Sequence, residues 1–203
     1  MTDIDATPDS TRDVYEKNAS EFDAQRSRAL FEARWLARFT RCLTPGGRVL
    51  DLGCGTGDPI ARWFRTEGFG VTGLDFSPAM LEIARARFPA GDWREGDMRV
   101  LDLGEAFDGI IAWDSFFHLT PEEQRACIAR ISNHLVPGGS ALLTVGPEAG
   151  EVTGRVGGTA VYHASLSPAA YAACLEANGL RLTGFLAEDP ETERHTVLMA
   201  RKI

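Results

Sequence analysis

The sequence predicts an α/β fold in which a mostly parallel sheet is covered by helices on both faces, and three observations lead there. Short apolar runs of strand length alternate with longer segments of helical periodicity along most of the chain. The first run, Val49-Leu50-Asp51-Leu52, passes directly into Gly53-Cys54-Gly55-Thr56-Gly57-Asp58, the pattern of a buried strand whose C-terminal end turns tightly beneath a ligand. The chain has 203 residues, 44% of them hydrophobic, enough to bury one core and near the upper end of usual domain size. A single domain over 1–203 is expected, with no internal repeat and no linker.

Residues 1 to about 10 are polar and expected to fray. Helical structure begins at Val14 and continues through Leu30, Phe31, Trp35, Leu36 and Phe39, whose spacing keeps one apolar face until Pro45-Gly46-Gly47 ends it. After strand one, Pro59 to Glu67 reads as a short helix. Val71 to Asp75 is strand two, and Ser77 with Pro78 behind it opens the next helix. Asp92 to Asp97 is strand three and Phe107 to Asp114 strand four. Thr120-Pro121-Glu122-Glu123 forms a capping box that starts a helix to about Leu135. Pro137-Gly138-Gly139 breaks that segment before strand five, Ser140 to Val145. Ser167-Pro168 opens a last helix closed by Gly179, and two strands follow at Arg181 to Leu186 and His195 to Arg201.

Composition excludes several function classes. A net charge of −8 gives little attraction for phosphate backbones, so a nucleic-acid partner is not expected. Cys42, Cys54, Cys127 and Cys174 are widely spread, without metal-ligand spacing, which suits reduced thiols in a cytoplasmic protein and no bound metal. No export signal and no apolar run of membrane-spanning length is present.

The glycines are spaced Gly-x-Gly-x-Gly, whereas a dinucleotide fingerprint requires Gly-x-Gly-x-x-Gly. Asp51-Leu52-Gly53-Cys54-Gly55-Thr56-Gly57 resembles the first motif of the class I S-adenosylmethionine-dependent methyltransferases. Asp75, about 20 residues beyond Gly53 at the end of strand two, stands where an acid can hold both ribose hydroxyls. The resemblance covers about 45–201 and is strongest from Val49 to Met98. It implies a Rossmann-like sheet of seven strands, the last antiparallel and inserted beside the fifth, and the cofactor S-adenosylmethionine.

Residue by residue, the resemblance places Gly53, Cys54 and Gly55 along the methionine part of the cofactor, Asp51 toward its ammonium and Asp75 on the ribose. It puts Phe76 and Met80 against the adenine, with Asp97 accepting from the adenine amino group and the Met98 backbone on the ring nitrogen. Trp113, in Ala112-Trp113-Asp114-Ser115-Phe116-Phe117-His118, falls where the fourth motif passes the sulfonium, whose charge an aromatic face attracts. Tyr15, with Ala19, Phe22 and Arg26, resembles a tyrosine-containing helix that closes over the cofactor, so 1–44 is expected as a helical cover. Phe22 departs from the pattern, because many relatives carry a second tyrosine there.

Residues 147–165, rich in glycine at the ligand-binding rim, are expected as a mobile loop on the substrate side, closed by Tyr162 and His163. Candidate bases, in falling order, are His163, His118 and Asp114. The function expected is transfer of a methyl group to an oxygen or nitrogen of a small molecule. The alternatives are a catalytically silent cofactor-binding regulator and, behind it, an NAD-dependent oxidoreductase that the glycine spacing disfavours. Oligomeric state and acceptor identity are not encoded in any motif found.

Overall fold

The structure, a computed structural model, describes residues 6–203. Seven strands form one sheet: β1 (Arg48–Leu52), β2 (Gly70–Asp75), β3 (Asp92–Glu95), β4 (Phe107–Ala112), β5 (Leu135–Val145), β8 (Leu180–Asp189) and β9 (His195–Lys202). Between β5 and β8 lie β6 (Gly150–Val156) and β7 (Thr159–Ser165), which pair only with each other. The order in the sheet is β3-β2-β1-β4-β5-β9-β8. Strands β1 to β5 pair in parallel, and β9 lies antiparallel between β5 and β8, as the sequence resemblance implied.

Both faces are covered because the strands are apolar on both sides. Leu50 and Leu52 of β1 and Ile110 and Ala112 of β4 pack in one cluster with α5 (Pro121–Asn133) and α6 (Pro168–Ala177). Val49 and Ile111, one residue out of phase, pack in the other with α2 (Ala33–Thr40), α3 (Ile60–Thr66) and α4 (Pro78–Arg87). Thr120 caps α5 through the expected reciprocal box, and Ser77 caps α4 by accepting from the Met80 N–H.

Three expectations are corrected. The N-terminal helical run is two helices, α1 (Thr11–Gln25) and α2, broken at Arg26 to Glu32, where Leu30 takes a φ of +53°. The break lets α2 pack on the sheet while α1 lies over the strand ends. Of the stretch expected to fray, residues 1–5 lie outside the described residues, whereas Ala6 is buried with Tyr162 and Ala164 and Pro8–Ser10 forms a 3-10 turn. Finally, 147–165 is not a loop but chiefly the β6–β7 hairpin, turning at Gly157 and Gly158, both at positive φ. β-Branched Val152, Thr153, Val156, Thr159 and Val161 around a Gly-Gly pair explain it. A smaller difference is that β5 runs through Pro137-Gly138-Gly139 by a register jump against β4. No helix among the described residues is long and apolar enough to cross a membrane.

Candidate functional site

The strand order reverses between β1 and β4, and the loops leaving their C-terminal ends diverge into a crevice. Gly53, Gly55 and Gly57 turn the chain at φ values of +71°, +52° and +74°, which side chains resist. The Gly53 and Cys54 N–H groups donate to the Leu74 carbonyl, at 2.7 and 3.1 Å. Asp75 fixes the turn further: one carboxylate oxygen accepts from the Gly55 N–H at 2.8 Å and the other from the Ser77 N–H at 2.9 Å. Burial nevertheless pushes its carboxyl up to about 6.

Asp51, at the tip of β1, is 3% exposed and borders the crevice. Among the described residues no donor makes a hydrogen bond to its carboxylate. Burial, then the nearby charge of Asp75, push it up to about 7, with Arg26 acting the other way. A buried carboxylate without a partner is costly unless a cation or donor reaches it. This is the group a ligand ammonium would satisfy.

The crevice holds two adjoining cavities. The first, about 70 Å³, is bordered by Tyr15, Asp51, Gly53, Cys54, Gly55, Asp75, Met80, Trp113, Asp114 and His118. The second, about 50 Å³, is bordered by Phe76, Asp97 and Met98 and shares Gly53, Asp75, Ser115 and His118 with the first. Asp97 is less available than its position suggests, because Arg99 occupies its carboxylate through its N–H and its guanidinium, at 2.8, 2.8 and 2.7 Å.

Helix α1 covers the crevice and is held at three points. Glu16 accepts from the Ser77 hydroxyl at 2.6 Å and the Ala79 N–H at 3.1 Å, at the start of α4. Asp23 accepts from Arg87 at 2.8 and 2.6 Å and from the Thr56 hydroxyl in the glycine turn at 2.7 Å. The Tyr15 hydroxyl meets His118 Nε2 at 2.9 Å, and Phe22 sets its ring edge-on to Tyr15.

His118 is therefore fully engaged. Its Nδ1 lies 2.9 Å from the Tyr162 carbonyl oxygen, which can only accept, so Nδ1 carries the proton and Nε2 accepts from Tyr15. Burial drives its pKa down to about 4, keeping it neutral. Neither nitrogen is left for a substrate proton. His163 is different: burial also lowers it, its ring packs on Phe117 and His118, and no hydrogen bond holds it among the described residues. Gly154 makes room for that ring, since a Cβ there would lie 2.3 Å from it. His163 does not border the first two cavities but a third, of about 360 Å³, between the β5–β6 connection, the hairpin and the β8–β9 turn. Asp114 sits at the end of β4 with φ +54°, its Oδ1 2.8 Å from His195 Nε2.

Residues 49–139 match the family described as a methyltransferase domain. The stretch from β1 into β5 is thus similar to a methyltransferase domain. Over 115 residues, 55% of this chain and 46% of the relative, it is 37% identical to a dTDP-4-amino-2,3,4,6-tetradeoxy-D-glucose N,N-dimethyltransferase of Saccharopolyspora spinosa. Over 112 residues, 53% and 46% of the two chains, it is 39% identical to a dTDP-3-amino-3,4,6-trideoxy-alpha-D-glucopyranose N,N-dimethyltransferase of Streptomyces venezuelae. The matches thus span about half the length of these curated relatives. The fold is that of CalS10, an amino pentose methyltransferase from Micromonospora echinaspora, with a TM-score of 0.71, 24% identity and coverage of 92% and 96% of the two chains.

The fold brings together nearly every residue that the sequence singles out, because most lie at the ends of consecutive parallel strands. It also uses residues that sequence reasoning missed. His195, Glu32 and Thr144 carried no motif signal: one opens the last strand, one lies in the helix break, and one is an inward-facing strand residue. Only the fold brings His195 and Thr144 onto Asp114 and the charge of Glu32 near His195.

Proposed function

We propose that this domain binds S-adenosylmethionine along the two adjoining cavities and catalyses methyl transfer to a nitrogen or oxygen of a small molecule, with an amino sugar as the favoured acceptor. The observation that carries the reading is Asp51, a buried carboxylate without a hydrogen-bond partner among the described residues, facing a glycine turn of bare backbone. In this reading Asp51 pairs with the cofactor's ammonium. Asp75 accepts from the ribose hydroxyls with the lone pairs its backbone bonds leave free, and Phe76, Met80 and Met98 flank the adenine. Asp97 lies at the adenine edge and, with Arg99 on its carboxylate, contributes less than the backbone of Met98. The cofactor supplies an already activated methyl group on a positively charged sulfur.

The remaining contribution of the chain is alignment and exclusion of water. Helix α1, with Tyr15 and Phe22, closes one side. Trp113 offers an aromatic face to the sulfonium. For a hydroxyl acceptor, the neutral and unbonded His163 is the base of choice, ahead of Asp114, and His118 is withdrawn because both its nitrogens are committed. Support for an amine acceptor comes from the two curated relatives, whose names specify amino sugars. A cytoplasmic location is supported by four cysteines that are all free thiols.

Calorimetry tests the cofactor: S-adenosylmethionine or its demethylated product binds with micromolar affinity, about −8 kcal/mol, and NAD does not bind. Binding of NAD in place of S-adenosylmethionine would overturn the reading. Mass spectrometry on amino sugar and hydroxy sugar panels then identifies the acceptor by a gain of about 14 Da, one CH₂.

A further inference from the structure

Asp114 and His195 stand between two cavities. Asp114 borders the first cavity, with Asp51 and Trp113, whereas His195 borders the 360 Å³ cavity. His195 Nε2 lies 2.8 Å from Asp114 Oδ1, and its Nδ1 lies 2.6 Å from the Thr192 carbonyl oxygen. That carbonyl only accepts, so Nδ1 carries a proton. Nε2, facing a carboxylate, is repelled unless it carries one too, so the geometry calls for an imidazolium. The ring also packs nearly parallel to Phe31 and Trp113, with centroids 5.5 and 5.7 Å away, and aromatic faces favour a cation. On the other side of the pair, Asp114 holds a left-handed backbone that a side chain disfavours, and its N–H is tied to the Thr144 hydroxyl at 2.8 Å. Strain held in place by two long-range contacts fixes one carboxylate at this junction.

The inference rests on the reading above, in which the first cavity takes the cofactor. With the acceptor in the larger cavity, a methyl group would pass the Asp114–His195 contact that links the two linings, which would turn the sulfur toward Asp114. We propose that the Asp114–His195 pair is the element by which this site distinguishes the charged, methyl-bearing cofactor from its neutral, demethylated product. Both molecules share the amino acid, ribose and adenine and differ in charge only at sulfur. With His195 protonated, the charge of Asp114 is largely offset. When His195 loses its proton, the uncompensated carboxylate favours a sulfonium over a neutral thioether.

Burial lowers the proton affinity of His195, but the facing Asp114 carboxylate, the Thr192 carbonyl and the charge of Glu32 outweigh it and raise the pKa above 6.5. Selectivity for the charged cofactor therefore grows as pH rises through that raised value. Tyr15, His118 and His163 stay neutral there, because burial raises the first and lowers the other two. Asp51 and Asp75 titrate at about 7 and about 6 and add their own pH dependence, which the wild type and variants of the pair share, so the part of the pair is the difference between them.

The test is calorimetry of S-adenosylmethionine and S-adenosylhomocysteine with the same protein between about pH 6 and pH 9, compared as a ratio of Kd values. In the wild type the preference for S-adenosylmethionine rises about tenfold across that range. Asp114→Asn removes the charge and holds the ratio below the wild type's at high pH. His195→Gln keeps a neutral donor and holds it above the wild type's at low pH. General damage to the site cannot drive the two variants in opposite directions. A flat wild-type ratio with both ligands bound, or variants that shift it the same way, overturns the role of the pair. A folded wild type that binds neither ligand overturns the cofactor reading itself.

Discussion

Asp75 serves the local fold and the proposed ligand at once, which decides how it should be probed. Its two oxygens already hold the Gly55 and Ser77 N–H groups, so Asp75→Ala removes part of the glycine turn together with any ribose contact. Asp75→Asn keeps the side-chain volume and one acceptor. The Asn variant leaves one of the two N–H groups facing its NH2, so it is expected to melt below the wild type yet stay folded, and to bind S-adenosylhomocysteine about 1.5–3 kcal/mol more weakly. Calorimetry beside a thermal melt checks this, and unchanged affinity in the folded variant would remove Asp75 from the ligand. At His163 the expectation concerns rate: with a hydroxyl acceptor, His163→Ala lowers kcat about a hundredfold or more while cofactor affinity stays as it was. Equal kcat in the two proteins would leave the reaction without that base.

Helix α1 is the element on which access depends. Residues of α1 border both cavities, Tyr15 and Phe22 the first and Thr11 the second, so a shift of α1 would widen the way in. The contacts that resist the shift are Glu16 at the start of α4, Tyr15 on His118, and Asp23 on Arg87 and Thr56. Arg87 grips Asp23 bidentately and holds its carboxyl down at about 2. Asp23→Ala is expected to speed amide exchange across Thr11–Gln25, by roughly tenfold for a latch contributing about 1–2 kcal/mol, and saturating S-adenosylhomocysteine to slow it. Exchange in this helix that ignores both the substitution and the ligand would show that α1 is no cover. The β6–β7 hairpin, once expected to be a mobile loop, has continuous cross-strand pairing, so its paired amides are expected to exchange slowly even without ligand.

For the whole molecule, the buried carboxylates set a pH dependence of stability. Asp51 is pushed up to about 7 when folded, against about 3.9 in an unfolded chain. The folded state therefore keeps a proton that the unfolded state has released, and this contribution is complete below about pH 4 and lost as pH rises through about 7. Comparison with Asp51→Asn isolates it from every other titrating group. Without ligand, the two proteins are expected to be equally stable near pH 4, with the variant gaining about 2–4 kcal/mol by pH 8. Urea unfolding across that range measures the gap, and a gap that stays constant with pH would contradict a strained buried carboxylate. The variant gains stability where it loses the proposed ammonium contact, the trade expected of a binding residue.

The sequence alone determined the doubly covered parallel sheet and most of the crevice. Strand period, glycine spacing and capping residues are local signals, and Asp51, Gly53, Gly55 and Asp75 lie within strands and turns those signals define. It also carried a Gly-Gly hairpin signal at 157–158 that was read as flexibility. Tertiary structure decided the rest. Whether His118 can act as a base depends on Tyr15 and on the Tyr162 carbonyl, which reach it from distant parts of the chain. The pairing of Asp114 with His195 depends on β9 entering the sheet beside β5. Proton positions and partner identity follow from through-space distances of about 3 Å, and those are set by packing of the whole sheet, not by any pattern along the chain.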